Sequence, residues 1–247
     1  MSTRSDWIVP EWPAPANVLA LSTLRTGGVS EPPFDSFNFG DHVEDRPQHV
    51  AANRQRLIEQ VHLPSEPRWL QQIHGIAVVD AARAPMGTAA DASYSTTPGV
   101  VCAVMTADCL PVLFCSRDGS CVAAAHAGWR GLLSGVLEAT ISALPAVGKD
   151  IVAWLGPAIG PEAFEVGEDV YAGFVEHDAC SAGAFKPGGP GKYFADIYAL
   201  ARLRLTNAGV TAIHGGGYCT YTDRSRFFSF RRDGRTGRMV SLIWMAD

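Results

Sequence analysis

A chain of 247 residues with 47% hydrophobic and 18% charged residues can bury one sizeable core, which predicts a single domain over 1–247 with residues 1–17 as a peripheral N-terminal segment. The formal net charge of -5 argues against a nucleic-acid partner, because such binding shows as clustered excess Lys and Arg. Residues 1–10 carry no basic-then-apolar leader and no stretch is apolar and long enough to span a bilayer, so the expectation is a cytoplasmic protein, no membrane partner, and six reduced cysteines.

Residues 18–24 read as a first strand, and 25–45, rich in Gly, Pro, Asp and Asn, as a long functional loop. Pro47 suits the first turn of a helix running to about residue 61, since its fixed φ is helix-compatible. Residues 69–73 and 76–80 read as two strands joined at His74 and Gly75, which puts His74 at a hairpin tip. The apolar runs 100–105, 112–115 and 121–125 are expected to be buried strands of one sheet. Cys109 falls in the break between the first two, and His126 follows the third. Trp129, Leu132, Leu133, Val136, Leu137, Ile141 and Leu144 then recur at helical spacing. Another strand is expected at 151–155, a loop at 156–167 and a helix at 168–177. The Gly- and Pro-rich segment 181–191 reads as a mobile surface loop. Asp196 is expected to cap a helix that Gly209 ends. A strand at 210–214 and a pair at 227–231 and 239–244, turning over Asp233-Gly234, complete a mixed α/β fold of sheets flanked by helices.

His74, Cys109 and His126 each end an apolar segment in a turn. Two imidazoles and one thiolate make three zinc ligands with a fourth position left for water. The same residues also make a Cys-His nucleophile and base for amide hydrolysis, and their wide separation does not decide between the two. Asp108, beside Cys109, reads either as a proton shuttle or as a turn former. Gly128-Trp129-Arg130-Gly131 opens a helix whose free N–H groups and positive dipole end suit an anion, with Arg130 next to it for phosphate. Arg25 and Asn38 in the first long loop are further candidates for contacting a polar substrate. Cys102, Cys115 and Cys121 lie inside apolar runs as small hydrophobes, and Cys219 follows a triple glycine.

Four segments together carry a resemblance: Gln71-Gln72-Ile73-His74-Gly75, Thr106-Ala107-Asp108-Cys109-Leu110-Pro111, His126-Ala127-Gly128-Trp129-Arg130-Gly131, and Phe227-Phe228-Ser229-Phe230-Arg231-Arg232-Asp233-Gly234. In this order, with the opening Ser22-Thr23-Leu24-Arg25-Thr26-Gly27-Gly28-Val29-Ser30, the chain resembles the laccase-domain, YfiH-like family over nearly its whole length. The resemblance implies a mixed α/β fold and a metal site, usually zinc, at the positions of His74, Cys109 and His126. It implies purine nucleoside phosphorylase activity on adenosine, inosine, guanosine and methylthioadenosine, with adenosine deaminase activity in the same site. Purine nucleosides and phosphate are then the partners, with a monomer or homodimer as the working unit. By aromatic character alone, Phe228, Phe230 and Tyr218 are candidates for clasping the base. A Cys-His deamidase and a factor editing peptidoglycan precursors are the alternatives. An older family label is polyphenol oxidase. Multicopper oxidase chemistry consumes about ten histidines, whereas this chain has seven and no His-x-His pair, although copper outranks zinc in intrinsic affinity and suits the same donors in vitro.

Overall fold

The computed structural model describes residues 7–246. Residues 1–6 of the expected N-terminal segment lie outside them. The chain runs β1 (Trp7–Ile8), β2 (Val18–Thr23), α1 (Pro47–Val61), β3 (Val78–Asp80), β4 (Ala92–Ser95), β5 (Cys102–Thr106), β6 (Leu110–Ser116) and β7 (Val122–Ala127). It continues through α2 (Trp129–Ser134), α3 (Val136–Ala143), β8 (Ile151–Leu155), β9 (Glu165–Gly167), α4 (Glu168–His177), β10 (Phe185–Pro187) and β11 (Lys192–Ala195). It ends with α5 (Ile197–Asn207), β12 (Ala212–Gly215), α6 (Phe230–Asp233) and β13 (Met239–Met245). The strands form a mixed sheet in the order β12-β8-β6-β7-β4-β3, a second sheet β1-β2-β13-β5, and a small third sheet β10-β11-β9.

Side-chain alternation explains how these layers stack. Every residue of β6 is buried. Val112 and Phe114 join the cluster under the helices, while Leu113 and Cys115 join the one between the two larger sheets. A strand covered on both faces has no polar face to show, hence its continuous apolar run. In β7, Ala123, Ala125 and Ala127 face the helices, whereas Val122 and Ala124 face the second sheet. His126 shares the parity of that second set. From the opposing sheet β5 presents Cys102 and Val104 to the same interface, and turns Ala103 and Met105 toward Leu57 of α1, Phe37, Phe39 and Trp69.

Several elements follow the sequence expectation for the expected reason. Pro47 stands in the first turn of α1, and His62 ends it in a left-handed conformation with φ 55°. The Asp196 side chain caps α5 by accepting from the backbone N–H groups of Tyr198 and Ala199, each at 3.0 Å. Five expectations are corrected. The three apolar runs expected in one sheet divide between two, because β5 pairs with β13 in the second sheet while β6 and β7 pair with each other in the first. The amphipathic run 129–144 is two helices, because Gly135 takes φ 103° and its N–H bonds back to Gly131 and Leu132 carbonyls. The hairpin through His74 does not form. Arg68 and Gln71 make isolated bridges to Cys102 and Ala89, and β3 pairs in parallel with β4. Residues 227–231 are not a strand, since the Ser229 hydroxyl accepts from Arg232 N and starts the short helix α6. The segment expected to be mobile at 181–191 contains β10, which pairs with β11 and seats Phe185 against Tyr171 and Phe174. Residues 7 and 8 of the N-terminal segment add an edge strand to β2.

Candidate metal centre and its cleft

Two strand ends and one irregular segment deliver the donor trio. Cys109 is the last residue of the turn between β5 and β6, His126 is the penultimate residue of β7, and the register pairs Pro111 with His126 across the sheet. Counting back from Leu113 by twos places Cys109 on the same side as His126, at the open edge of the interface between the sheets. His74 arrives from the irregular segment that replaces the hairpin and sits in the left-handed region at φ 59°. One donor atom from each of the three residues lies within 4.8 Å of the others. The two imidazole rings meet edge to face with centroids 4.8 Å apart, and Cys109 Sγ lies 3.9 Å from His74 Nε2.

Close approach at this point depends on glycine. A Cβ on Gly128 would stand 2.9 Å from His74 Cδ2 and 3.1 Å from Cys109 Sγ. One on Gly131 would stand 2.9 Å from the Gly75 carbonyl oxygen. The turn that opens α2 thus packs directly beneath the trio.

The residue that organises both histidines is Asp91, which the sequence reading did not single out. Its carboxylate accepts from His126 Nδ1 at 2.8 Å and from the backbone N–H groups of Gly75 at 2.6 Å, His74 at 2.9 Å and Ile73 at 3.2 Å. This fixes the His126 ring and leaves Nε2 as the nitrogen available to act as a donor. It also explains the missing hairpin, because the N–H groups that a tight turn would use are spent on a carboxylate. The electrostatics follow from the geometry. Burial pushes the Asp91 carboxyl up, but the His126 hydrogen bond and the Gly75 and His74 N–H groups outweigh it and hold it below its ordinary value. Burial likewise pushes the Cys109 thiol up, yet the charge and hydrogen bond of His126 and the contact with His74 hold it well below the ordinary thiol range. Burial alone would lower His126, but the Cys109 charge and the Asp91 hydrogen bond raise it instead. Two imidazoles and a thiol poised to ionise form a donor set that fits a zinc-type ion.

Beside the trio lies a cleft of about 240 Å³, lined by His74, Cys109, Trp129, Arg130, Phe164, Phe230 and Arg231 among others. Arg130 stacks its guanidinium over the Trp129 ring at 4.5 Å, and Phe230 stands exposed on the α6 wall. Arg231, a second cation on that wall, was present in a quoted motif but not singled out from sequence. Its guanidinium donates to the Glu165 carbonyl at 2.7 Å and lies 5.6 Å from the Phe164 ring centroid. The Arg238 guanidinium lies over the Phe230 ring, 5.8 Å from its centroid.

Other sequence candidates sit elsewhere. Arg25 is absent from the lining; it donates to the Asp35 and Arg224 carbonyls and lies over the Phe228 ring. Asn38 is fully buried and braces the first long loop, accepting from Gly40 N and Arg238 N and donating to Asp45. Phe228 is buried, and Tyr218 packs edge-on against Phe227. Asp108 does line the cleft, with both carboxylate oxygens engaged by Thr220, Ser229 and the Arg231 N–H. Cys219 accepts from Gly160 N through its sulfur and is outside the lining.

A family model described as multi-copper polyphenol oxidoreductase laccase matches residues 19–246. The chain is 58% identical to purine nucleoside phosphorylase YfiH of Escherichia coli K12 and 56% identical to purine nucleoside phosphorylase PA4543 of Pseudomonas aeruginosa, each match covering 98% of this chain and 99% of the relative. Among solved structures, Neisseria meningitidis protein NMB0706 superimposes with a TM-score of 0.95 at 53% identity, covering 98% of this chain and 100% of that one. YlmD from Geobacillus stearothermophilus gives a TM-score of 0.91 at 30% identity, covering 100% of this chain and 98% of that one.

Proposed function

The chain belongs to the multi-copper polyphenol oxidoreductase laccase family, and on that premise we propose that it is a purine nucleoside phosphorylase acting on adenosine, inosine, guanosine and methylthioadenosine, with adenosine deaminase activity in the same cleft. One observation supports this reading above the others: two arginines, Arg130 and Arg231, line the same cleft as His74 and Cys109, two of the three clustered donors, together with the aromatic side chains of Trp129, Phe164 and Phe230. Phosphorolysis needs an oxyanion held against the ribose and a nonpolar surface for the base. The guanidiniums serve the first need, and Phe230 and Trp129 serve the second. Arg231 takes the place that sequence reasoning offered to Arg25. We assign His74, Cys109 and His126 to zinc, which supplies Lewis acidity at the cleft when bound. Asp91 holds the tautomer of His126, with the proton on Nδ1.

The oxidase description in the family's name does not extend to the chemistry of this chain. Among the described residues, the His74, Cys109 and His126 set is the one cluster of three His, Cys, Asp or Glu side chains close enough to share a metal, and a multicopper oxidase requires four coppers in two kinds of site.

The test is release of purine base. Purified protein is expected to carry near-stoichiometric zinc and to liberate hypoxanthine from inosine only when inorganic phosphate is present, followed by chromatography. Cys109→Ala and His126→Ala variants that phosphorolyse inosine as fast as the parent would remove the metal from the mechanism. Base release independent of phosphate would replace the phosphorylase with a hydrolase.

A further inference from the structure

The geometry points to Asp108 as a positioning residue that locks the Phe230 and Arg231 wall of the cleft onto the turn carrying Cys109, with no proton passing through its carboxyl. The kinetic half of its test rests on the phosphorylase reading; the structural half does not.

Asp108 lies at φ 92°, a left-handed conformation that Gly, Asn and Asp adopt most readily. Its Oδ1 accepts from the Thr220 hydroxyl at 2.6 Å. Its Oδ2 accepts from the Ser229 hydroxyl at 3.0 Å and from the Arg231 backbone N–H at 2.7 Å. Thr220 and Ser229 are both fully buried, so these are water-excluded bonds. The backbone of Asp108 ties in a third segment, since its carbonyl accepts from Ile159 N at 3.0 Å. Arg232 closes the assembly by donating to the Thr220 carbonyl at 2.7 Å and to the Tyr221 carbonyl at 2.9 Å. The Cys109 turn, the segment after β8, the loop holding Thr220 and the start of α6 therefore meet at one residue, the last two through its side chain.

A proton shuttle needs an oxygen free to exchange its proton with the cleft. A proton on Oδ2 would face the Arg231 N–H, which has no lone pair to receive it. One on Oδ1 would face the Thr220 hydroxyl, which is buried away from the cleft. The carboxylate is instead an acceptor with three donors, as a loop-bracing group should be.

Two variants that both tolerate the positive φ separate the roles. In Asp108→Asn the amide oxygen can keep Ser229 and Arg231 while the amide nitrogen donates to the Thr220 hydroxyl, which turns to accept. Asp108→Gly removes every side-chain bond. In the zinc-loaded protein, Asp108→Asn is expected to keep kcat for inosine phosphorolysis within about threefold of the parent with an unshifted pH profile, against the hundredfold or more that losing a general acid–base group costs. Asp108→Gly is expected to raise KM for inosine and phosphate at unchanged zinc content. Amide hydrogen exchange read without any substrate is expected to show the Arg231 N–H protected in the parent and in Asp108→Asn, and exchanging at least about tenfold faster in Asp108→Gly. The assignment is overturned if Asp108→Asn loses activity by two orders of magnitude, or if the Arg231 amide exchanges as slowly in Asp108→Gly as in the parent. A parent that releases no purine with phosphate overturns the phosphorylase reading alone, because the exchange measurement needs no turnover.

Discussion

At the scale of single residues, Asp91 carries more of the site than any ligand does, because it fixes one imidazole by its ring and the other by its backbone. Replacing it with Asn keeps the volume but halves the accepting capacity and removes the charge. Zinc affinity is then expected to fall by about 10- to 100-fold, measured by competition with a chromogenic chelator. In metal-stripped Asp91→Asn, iodoacetamide is expected to alkylate Cys109 more slowly near neutral pH, since His126 loses support for the positive form that holds the thiolate. Equal alkylation rates would show that the thiol is activated without His126. The pH dependence of stability has a definite sign here. The Asp91 carboxyl is held below its ordinary value of 3.8 in the folded chain, so its contribution is fully present above that pH and is lost as pH falls through the lowered value. The acid limb of a stability profile should therefore be shallower in Asp91→Asn.

At the scale of elements, what was legible in the sequence were structures whose cause is local. The apolar strands β5 to β8, α1 behind Pro47 and α5 behind Asp196 all announce themselves by period or cap. The placement of Cys109 and His126 was legible for a related reason, since each lies at the end of a readable strand, whereas His74 was assigned to a hairpin that does not form. The misread elements have distant causes. The His74 segment looked like a hairpin until Asp91 took its N–H groups, and residues 227–231 looked like a strand until Asp108 took the Ser229 hydroxyl and the Arg231 N–H. β4 was not among the expected strands, because Ser93 and Ser95 interrupt the apolar pattern, although both are fully buried. Arg231 was hidden by the same misreading, as a strand would not have presented it beside Phe230. Gly135 offers a direct test of the broken helix. Gly→Ala inside a continuous helix stabilises by about 0.5–1 kcal/mol, whereas at φ 103° it destabilises by more than that. Urea unfolding of Gly135→Ala is expected to show the loss, and a gain would mean that residues 129–144 form one helix.

At the scale of the whole molecule, the proposed metal site is mounted on a framework that owes little to it. Both larger sheets and the helical layer bury their own apolar clusters, and His126 is the only one of the three ligands that is fully enclosed. Stripping zinc with a chelator is therefore expected to leave the far-ultraviolet dichroism intact while lowering the melting temperature. An ion present at 100 times its dissociation constant contributes about 2.7 kcal/mol, or roughly 5–10 °C for a chain of this size. Global unfolding on chelation would show instead that the metal nucleates the fold. The pairing of β6 with β7 adds a constraint of another kind. Their short connection is braced internally, with the Ser116 hydroxyl accepting from Ser120 N and Cys121 N, and externally by Asn17 donating to the Gly119 carbonyl. Because side chains alternate along a strand, one codon inserted or deleted in that connection would slip the ladder by a residue and swing His126 into the alanine-lined helical face. The length of a surface turn at the far end of the hairpin thus acts as a reading frame for the placement of His126, and changes of length that slip the ladder are tolerable only where they preserve its parity.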